Sequence, residues 1–144
     1  VTRPVPSSLA PIPVPDPDSA GYWDALREGT LKLCRCVDTG TWIHPPQERS
    51  PDGGAVTFEE VSGRGTIFSF IVVRQQTVPG HQTPYVVGVV ELDEQVGLRL
   101  TGIVDAEPDQ VRVGARVRAR LGAPTPGSDF RAPRFELETP HGSR

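Results

Sequence analysis

What these 144 residues have little of already narrows their function. The longest apolar runs, such as Phe70 to Val73, are strand-sized, far short of the ~20 residues needed to cross a bilayer. No basic stretch followed by an apolar core opens the sequence, so no secretory leader is expected. Cysteine is scarce, with Cys34 and Cys36 alone. One residue apart on a strand, they share a face but offer poor disulfide geometry, and a reducing cytoplasm is the expected compartment. Excess charge is missing too: 15 Lys and Arg against 18 Asp and Glu give −3, which argues against a dedicated nucleic-acid coat. The distribution is uneven, since residues 16–60 sum to −5 and residues 111–144 to +4.

Catalytic signatures are also missing. No nucleophile elbow, phosphate-cradling glycine loop, dinucleotide fingerprint or helical metalloprotease motif occurs. His81 has the chemistry of a general base, yet Pro79-Gly80-His81-Gln82-Thr83-Pro84 reads as a loop with no identifiable nucleophile. No catalytic residue is assigned. Cys34, Cys36 and His44 are the only metal candidates and cannot complete the four-ligand shell of a structural zinc, so neither metal nor cofactor is expected.

What is abundant is turn chemistry, 15 glycines and 16 prolines, which favours short elements. Residues 1–17 form a proline-rich arm that cannot build a hydrogen-bond ladder. Residues 18–29 read as a short helix capped by Asp18 or Ser19 and ended by Gly29, with Tyr22, Trp23 and Leu26 on one face. Residues 30–55, broken by Asp38-Thr39-Gly40, Pro45-Pro46 and Pro51-Asp52-Gly53-Gly54, read as a knuckle of hairpins. Residues 56–138 carry strands near Val56, at Thr66 to Val73, Tyr85 to Leu92, Leu98 to Val104, Val111 to Leu121 and Arg134 to Leu137. Such a set closes economically into a small barrel, and residues 139–144 remain as a tail. The fold class is thus mainly β.

Two clusters invite a partner. The short helix cannot stand alone in water and must pack on the following domain or on another chain; Tyr22, Trp23, Leu26 and Trp42 are expected at a protein interface, because large amphipathic rings often dominate such contacts. Arg116, Arg118 and Arg120 alternate along one strand face; with Arg64 they are candidates for an anion or coenzyme A contact, since the guanidinium fork suits phosphate. A single-strand nucleic-acid binder would use the same stripe with stacking aromatics such as Phe68, Phe70 and Tyr85.

The order of motifs resembles a family once catalogued as a domain of unknown function: an N-terminal helix, a rubredoxin-like zinc ribbon and an OB-fold barrel, found as accessory subunits of thiolase-superfamily enzymes. The likeness rests on Tyr22-Trp23-Asp24-Ala25-Leu26-Arg27-Glu28-Gly29, Ser62-Gly63-Arg64-Gly65-Thr66 with Phe68-Ser69-Phe70, Pro84-Tyr85-Val86-Val87 and Val90-Glu91-Leu92. It implies a five-stranded OB-fold barrel behind a ribbon whose cysteines would fall on Cys36, Thr39, Ser50 and Gly53; only the first is cysteine, so a metal-less ribbon is expected. The resemblance also implies a non-catalytic role in a hetero-oligomer. A sterol-carrier-type thiolase-like aldolase or acyltransferase partner would bind most of the acyl-CoA and supply the chemistry, in steroid side-chain degradation. The expected partners include neither nucleic acid nor membrane.

Overall fold

A computed structural model of the chain describes residues 12–76, 81–125 and 127–138. One helix, α1 (Ala20–Arg27), precedes eight strands: β1 (Lys32–Cys36), β2 (Trp42–Ile43), β3 (Val56–Glu60), β4 (Arg64–Val73), β5 (Tyr85–Leu92), β6 (Arg99–Val104), β7 (Arg116–Leu121) and β8 (Pro133–Leu137). The expected tail and most of the proline-rich arm lie outside the described residues. No helix among the described residues is long and apolar enough to cross a membrane.

Ser19 is the N-cap of α1, but its hydroxyl does not bond a helix amide. Asp16 fixes the entry instead: its Oδ1 accepts from the Ser19 amide at 2.8 Å and the Ser19 hydroxyl at 2.7 Å. The helix stops where Gly29 enters the left-handed region at φ 89° and Thr30 donates back to the Ala25 carbonyl at 2.9 Å. A glycine takes that conformation without steric cost.

The strands form two sheets, β2-β1-β3 and a closed barrel in the order β4-β5-β6-β8-β7. The strand at Val56, expected to open the barrel, belongs to the first sheet: β3 pairs along all of β1, from Lys32 opposite Glu60 to Cys36 opposite Val56. Its alternation is the same in either sheet, so sequence pattern could not choose between them. Antiparallel β4 and β5 start the barrel, and a parallel contact of Ile103 and Val104 with Arg134 and Phe135 joins β6 to β8.

Along β5 the odd residues face out and Val86, Gly88, Val90 and Leu92 face in. Gly88 is required there, since a Cβ would stand 2.8 Å from Val104 Cγ2. One apolar core unites both sheets: Tyr22, Leu26, Leu31, Leu33 and Trp42 pack with Ile67, Val90, Val117 and Phe135. A side chain as fully buried as Leu26 contributes about 2 kcal/mol, so the helix and ribbon are welded to the barrel rather than hung from it. Cys34, Cys36 and Ile43 form a second small cluster on the far face of β1.

Candidate interaction surface and ribbon

The aromatic cluster expected at a partner interface is largely interior. Leu26 is fully buried, and Tyr22 and Trp42 expose only 7% and 8% of their surface. The correction has a simple cause: an apolar helical face looks the same in sequence whether it meets a partner or its own barrel. Burial pushes the Tyr22 hydroxyl pKa up to about 12. Trp23 alone is half-exposed, edge-on to Tyr22 at 4.8 Å and to Phe130 at 5.3 Å. Tyr22 and Trp23 border a groove of about 430 Å³ with His44, Pro45 and Arg99. His44 Nδ1 is buried with no hydrogen-bond partner, and desolvation lowers the pKa of the ring, which favours the neutral form.

The arginine stripe exists, but carboxylates interleave it. Arg116 grips Asp93 through two bonds of 2.8 and 2.6 Å and also donates to Thr66 Oγ1. That fork holds the Asp93 carboxyl below the usual range. Arg64 meets Glu138 at 3.1 Å, while Arg118 and Arg120 share Glu136 at 3.2 and 3.4 Å. Two cations on one carboxylate leave part of the positive charge uncompensated at Arg118 and Arg120, whose side chains are 57% and 71% exposed. His81 lies 5.2 Å from the Tyr85 ring. Among the described residues no histidine is hydrogen-bonded to a serine, threonine or cysteine, and no three His, Cys, Asp or Glu side chains cluster as metal ligands.

Two features escaped sequence reasoning. The first is an apolar outer face on the barrel. In register, Ile71, Val87 and Ile103 form one row across β4, β5 and β6, flanked by Val73 with Tyr85 and by Val89. Ile71 is 62% exposed. A bulge between Ile67 and Ser69 shifts the alternation, so that Ser69 and Ile71 face out along with Phe68, whose ring the Arg99 guanidinium covers at 3.7 Å. The bulge interrupts the period of two that would have revealed the face. The second is a clamp from the β5–β6 turn onto the ribbon. Gln95 Oε1 accepts from the Trp42 amide at 2.9 Å and its Nε2 donates to the Trp42 carbonyl at 3.1 Å, while Glu94 Oε2 accepts from the Ser62 amide at 2.6 Å.

In the ribbon, the Thr39 hydroxyl and amide and the Ser50 hydroxyl lie against the buried Cys36 thiol and lower its pKa. One thiol, two hydroxyls and a glycine at the four aligned positions do not fit zinc, which takes thiolate, imidazole or carboxylate donors in structural sites. Cys34 donates instead to the Gln47 carbonyl at 3.6 Å.

A helix, a small ribbon and a five-stranded closed barrel sharing one core define the class: an OB-fold protein with an N-terminal ribbon. Residues 58–122 match the C-terminal OB-fold domain of ChsH2, and residues 23–49 its rubredoxin-like zinc ribbon domain. The chain is 38% identical over 122 residues to the 3-oxo-4,17-pregnadiene-20-carboxyl-CoA hydratase alpha subunit of Mycobacterium tuberculosis, covering 80% of this chain but 38% of that subunit's length. It is 39% identical over 103 residues to a DUF35 domain-containing scaffold protein of Methanocaldococcus jannaschii, covering 67% of this chain and 72% of that protein. A chain of the Ltp2-ChsH2(DUF35) aldolase superposes with a TM-score of 0.79 at 29% identity, over 88% of this chain and 98% of the other. The chain belongs to the DUF35 family, with the ChsH2 pattern of ribbon and OB-fold.

Proposed function

We propose that this chain is a non-catalytic accessory subunit of a thiolase-superfamily aldolase or acyltransferase that acts on acyl-CoA in steroid side-chain degradation. The observation that carries the reading is its overlap with 98% of the DUF35-type chain of an aldolase complex. The chemistry of the chain agrees with it: no nucleophile–base pair assembles among the described residues, so the reaction belongs to the partner. The row at Ile71, Val87 and Ile103 supplies the apolar centre of the docking surface, because exposed apolar patches on small domains mark association sites. Trp23 is the remaining aromatic contact of the original cluster. Arg118 and Arg120, sharing one carboxylate, are the best-placed candidates for a coenzyme A phosphate. Carboxylate pairing along the stripe weakens the nucleic-acid alternative.

Co-expression with a sterol-carrier-type thiolase-like subunit tests the reading. A stable hetero-oligomer by light scattering is expected, with turnover of an acyl-CoA aldol substrate in the mixture and none from this chain alone. Ile71→Asp should weaken association by roughly 30-fold, equivalent to ~2 kcal/mol for an apolar anchor, with an unchanged melting temperature. Robust turnover by this chain alone, abolished by His81→Ala without unfolding, would overturn the assignment.

A further inference from the structure

The two turns of the ribbon should be twins if both once held a pair of metal ligands, yet they close differently. In the first, the Cys36 amide donates to the Thr41 carbonyl at 2.8 Å and the Gly40 amide to the Cys36 carbonyl at 2.9 Å, with Gly40 left-handed at φ 76°. Four residues, 37–40, fill that loop. In the second, the Ser50 amide donates to the Gly54 carbonyl at 2.9 Å and the Gly53 amide to the Ser50 carbonyl at 2.7 Å, with Gly53 left-handed at φ 88°. Three residues, 51–53, fill this one. Gly53 therefore occupies the place of Gly40, and nothing occupies the place of Thr39.

Side-chain direction agrees. A Cβ added at Gly53 meets nothing within 4 Å, whereas one added at Gly54 would stand 3.8 Å from Cys36 Sγ. A cysteine at 53 would point away from Cys36, on a backbone that L side chains disfavour. The match to the zinc-ribbon domain also ends at residue 49, before this turn.

We propose that the ribbon is metal-independent by construction: its second turn closes one residue early, which removes the fourth ligand position, and hydrogen bonds brace each turn and tie one to the other in place of the ion. The bonds are explicit. Asp52 Oδ1 accepts from the Gly54 amide at 3.0 Å, and Arg49 donates to the Gly53 carbonyl at 3.2 Å. Arg35 Nε donates to the Gly40 carbonyl at 2.7 Å, and the Val37 amide to the Ala55 carbonyl at 3.0 Å, which ties one turn to the other. A structural zinc ordinarily supplies that constraint and its loss unfolds small metal domains; here the ribbon rests on the barrel core as well.

Three forms of the full chain test this with zinc analysis, cobalt(II) absorption and melting in the presence of a chelator. The unaltered chain should hold less than ~0.1 zinc per molecule and melt at the same temperature with or without chelator. Thr39→Cys/Ser50→Cys/Gly53→Cys places thiols at every aligned position and should still fail to give the four-thiolate cobalt spectrum. The same thiols at 39 and 50, with one cysteine inserted between Asp52 and Gly53, should give that spectrum and bind about one zinc. A tightly held zinc in the unaltered chain, a chelator-induced fall in its melting temperature, or a four-thiolate spectrum from the substitution variant would each overturn the proposal. So would a folded insertion variant that takes no metal. The first form decides the matter of metal independence even if an engineered variant fails to fold.

Discussion

Replacing Gln95 by alanine should loosen the joint between ribbon and barrel, and its size can be worked from the geometry. Strand β2 uses Cys34 and Arg35 as partners on one side only, and on the other side the Gln95 carboxamide stands in for a neighbouring strand, accepting from the Trp42 amide at 2.9 Å and donating to its carbonyl at 3.1 Å. Each such bond contributes about 1 kcal/mol net, and more if the abandoned group stays dry. Trp42 is 8% exposed, so water reaches its backbone poorly. A loss of ~2 kcal/mol follows. Taking about 2.1 cal/mol/K of unfolding entropy per residue over 144 residues, that is a drop of roughly 7 °C in melting temperature. Gln95→Glu is the sharper probe. It keeps the acceptor for the amide but sets a carboxylate against the Trp42 carbonyl, so at pH 7 it should be no more stable than the alanine variant. Below about pH 4.3 the acid protonates, regains a donor and should recover part of the loss. Urea unfolding read by tryptophan fluorescence, at pH 7 and pH 4, measures both effects against the unaltered chain at each pH. An unchanged midpoint for Gln95→Ala, or a glutamate variant more stable than alanine at pH 7, would refute the clamp.

Two pH dependences follow from the charged groups. Burial lowers the His44 pKa on folding, so the unfolded chain binds the proton more tightly and stability falls as pH drops below about 6.5, by at most ~1.4 kcal/mol per pH unit; His44→Phe should flatten that slope in denaturation midpoints between pH 7 and 5. Asp93, lowered chiefly by the Arg116 hydrogen bond, contributes stability that is present above pH ~3.9 and lost as pH falls through its folded value. Both partners are nearly half exposed, so Arg116→Gln should cost under ~1 kcal/mol at pH 7 and should shrink the acid-side loss in the same titration. For the proposed complex, a double Arg118→Gln/Arg120→Gln variant should raise the apparent KM for acyl-CoA severalfold at constant kcat, the pattern of lost uniform binding, and steady-state kinetics of the reconstituted pair reads it directly.

Much of the fold was legible because its signals are local. The run of valines from Tyr85 to Leu92 marks a strand, and β5 forms over those residues, although only the structure shows which of its two apolar faces is the buried one. Gly29 at the end of α1 announces a left-handed stop. What stayed hidden needed knowledge of the other side of a contact. Arg116, Arg118 and Arg120 share a face as their spacing requires, but the carboxylates that answer them come from 16 to 23 residues away along the chain. Arg64 waits for Glu138 at a separation of 74. A charge stripe in sequence therefore gives the face and not its net potential.

Tyr22, Leu26 and Trp42 are covered by the chain itself for a related reason. An aromatic helix of eight residues is too short to hold itself in water, so its apolar face must be covered by something, and sequence cannot say by what. Covering it with the chain's own barrel, through Tyr22 and Leu26, makes the ribbon and barrel one body. That leaves the outer row at Ile71, Val87 and Ile103 as apolar surface presented from a rigid sheet. In the proposed complex this division of labour would favour docking, since a preformed face loses little conformational entropy. Loosening the body through Gln95 should then weaken assembly even though Gln95 lies on the ribbon side of the barrel. Titrating the partner with Gln95→Ala at a temperature where the variant stays folded measures that effect. Affinity unchanged from the unaltered chain would mean that the ribbon's grip on the barrel is irrelevant to docking.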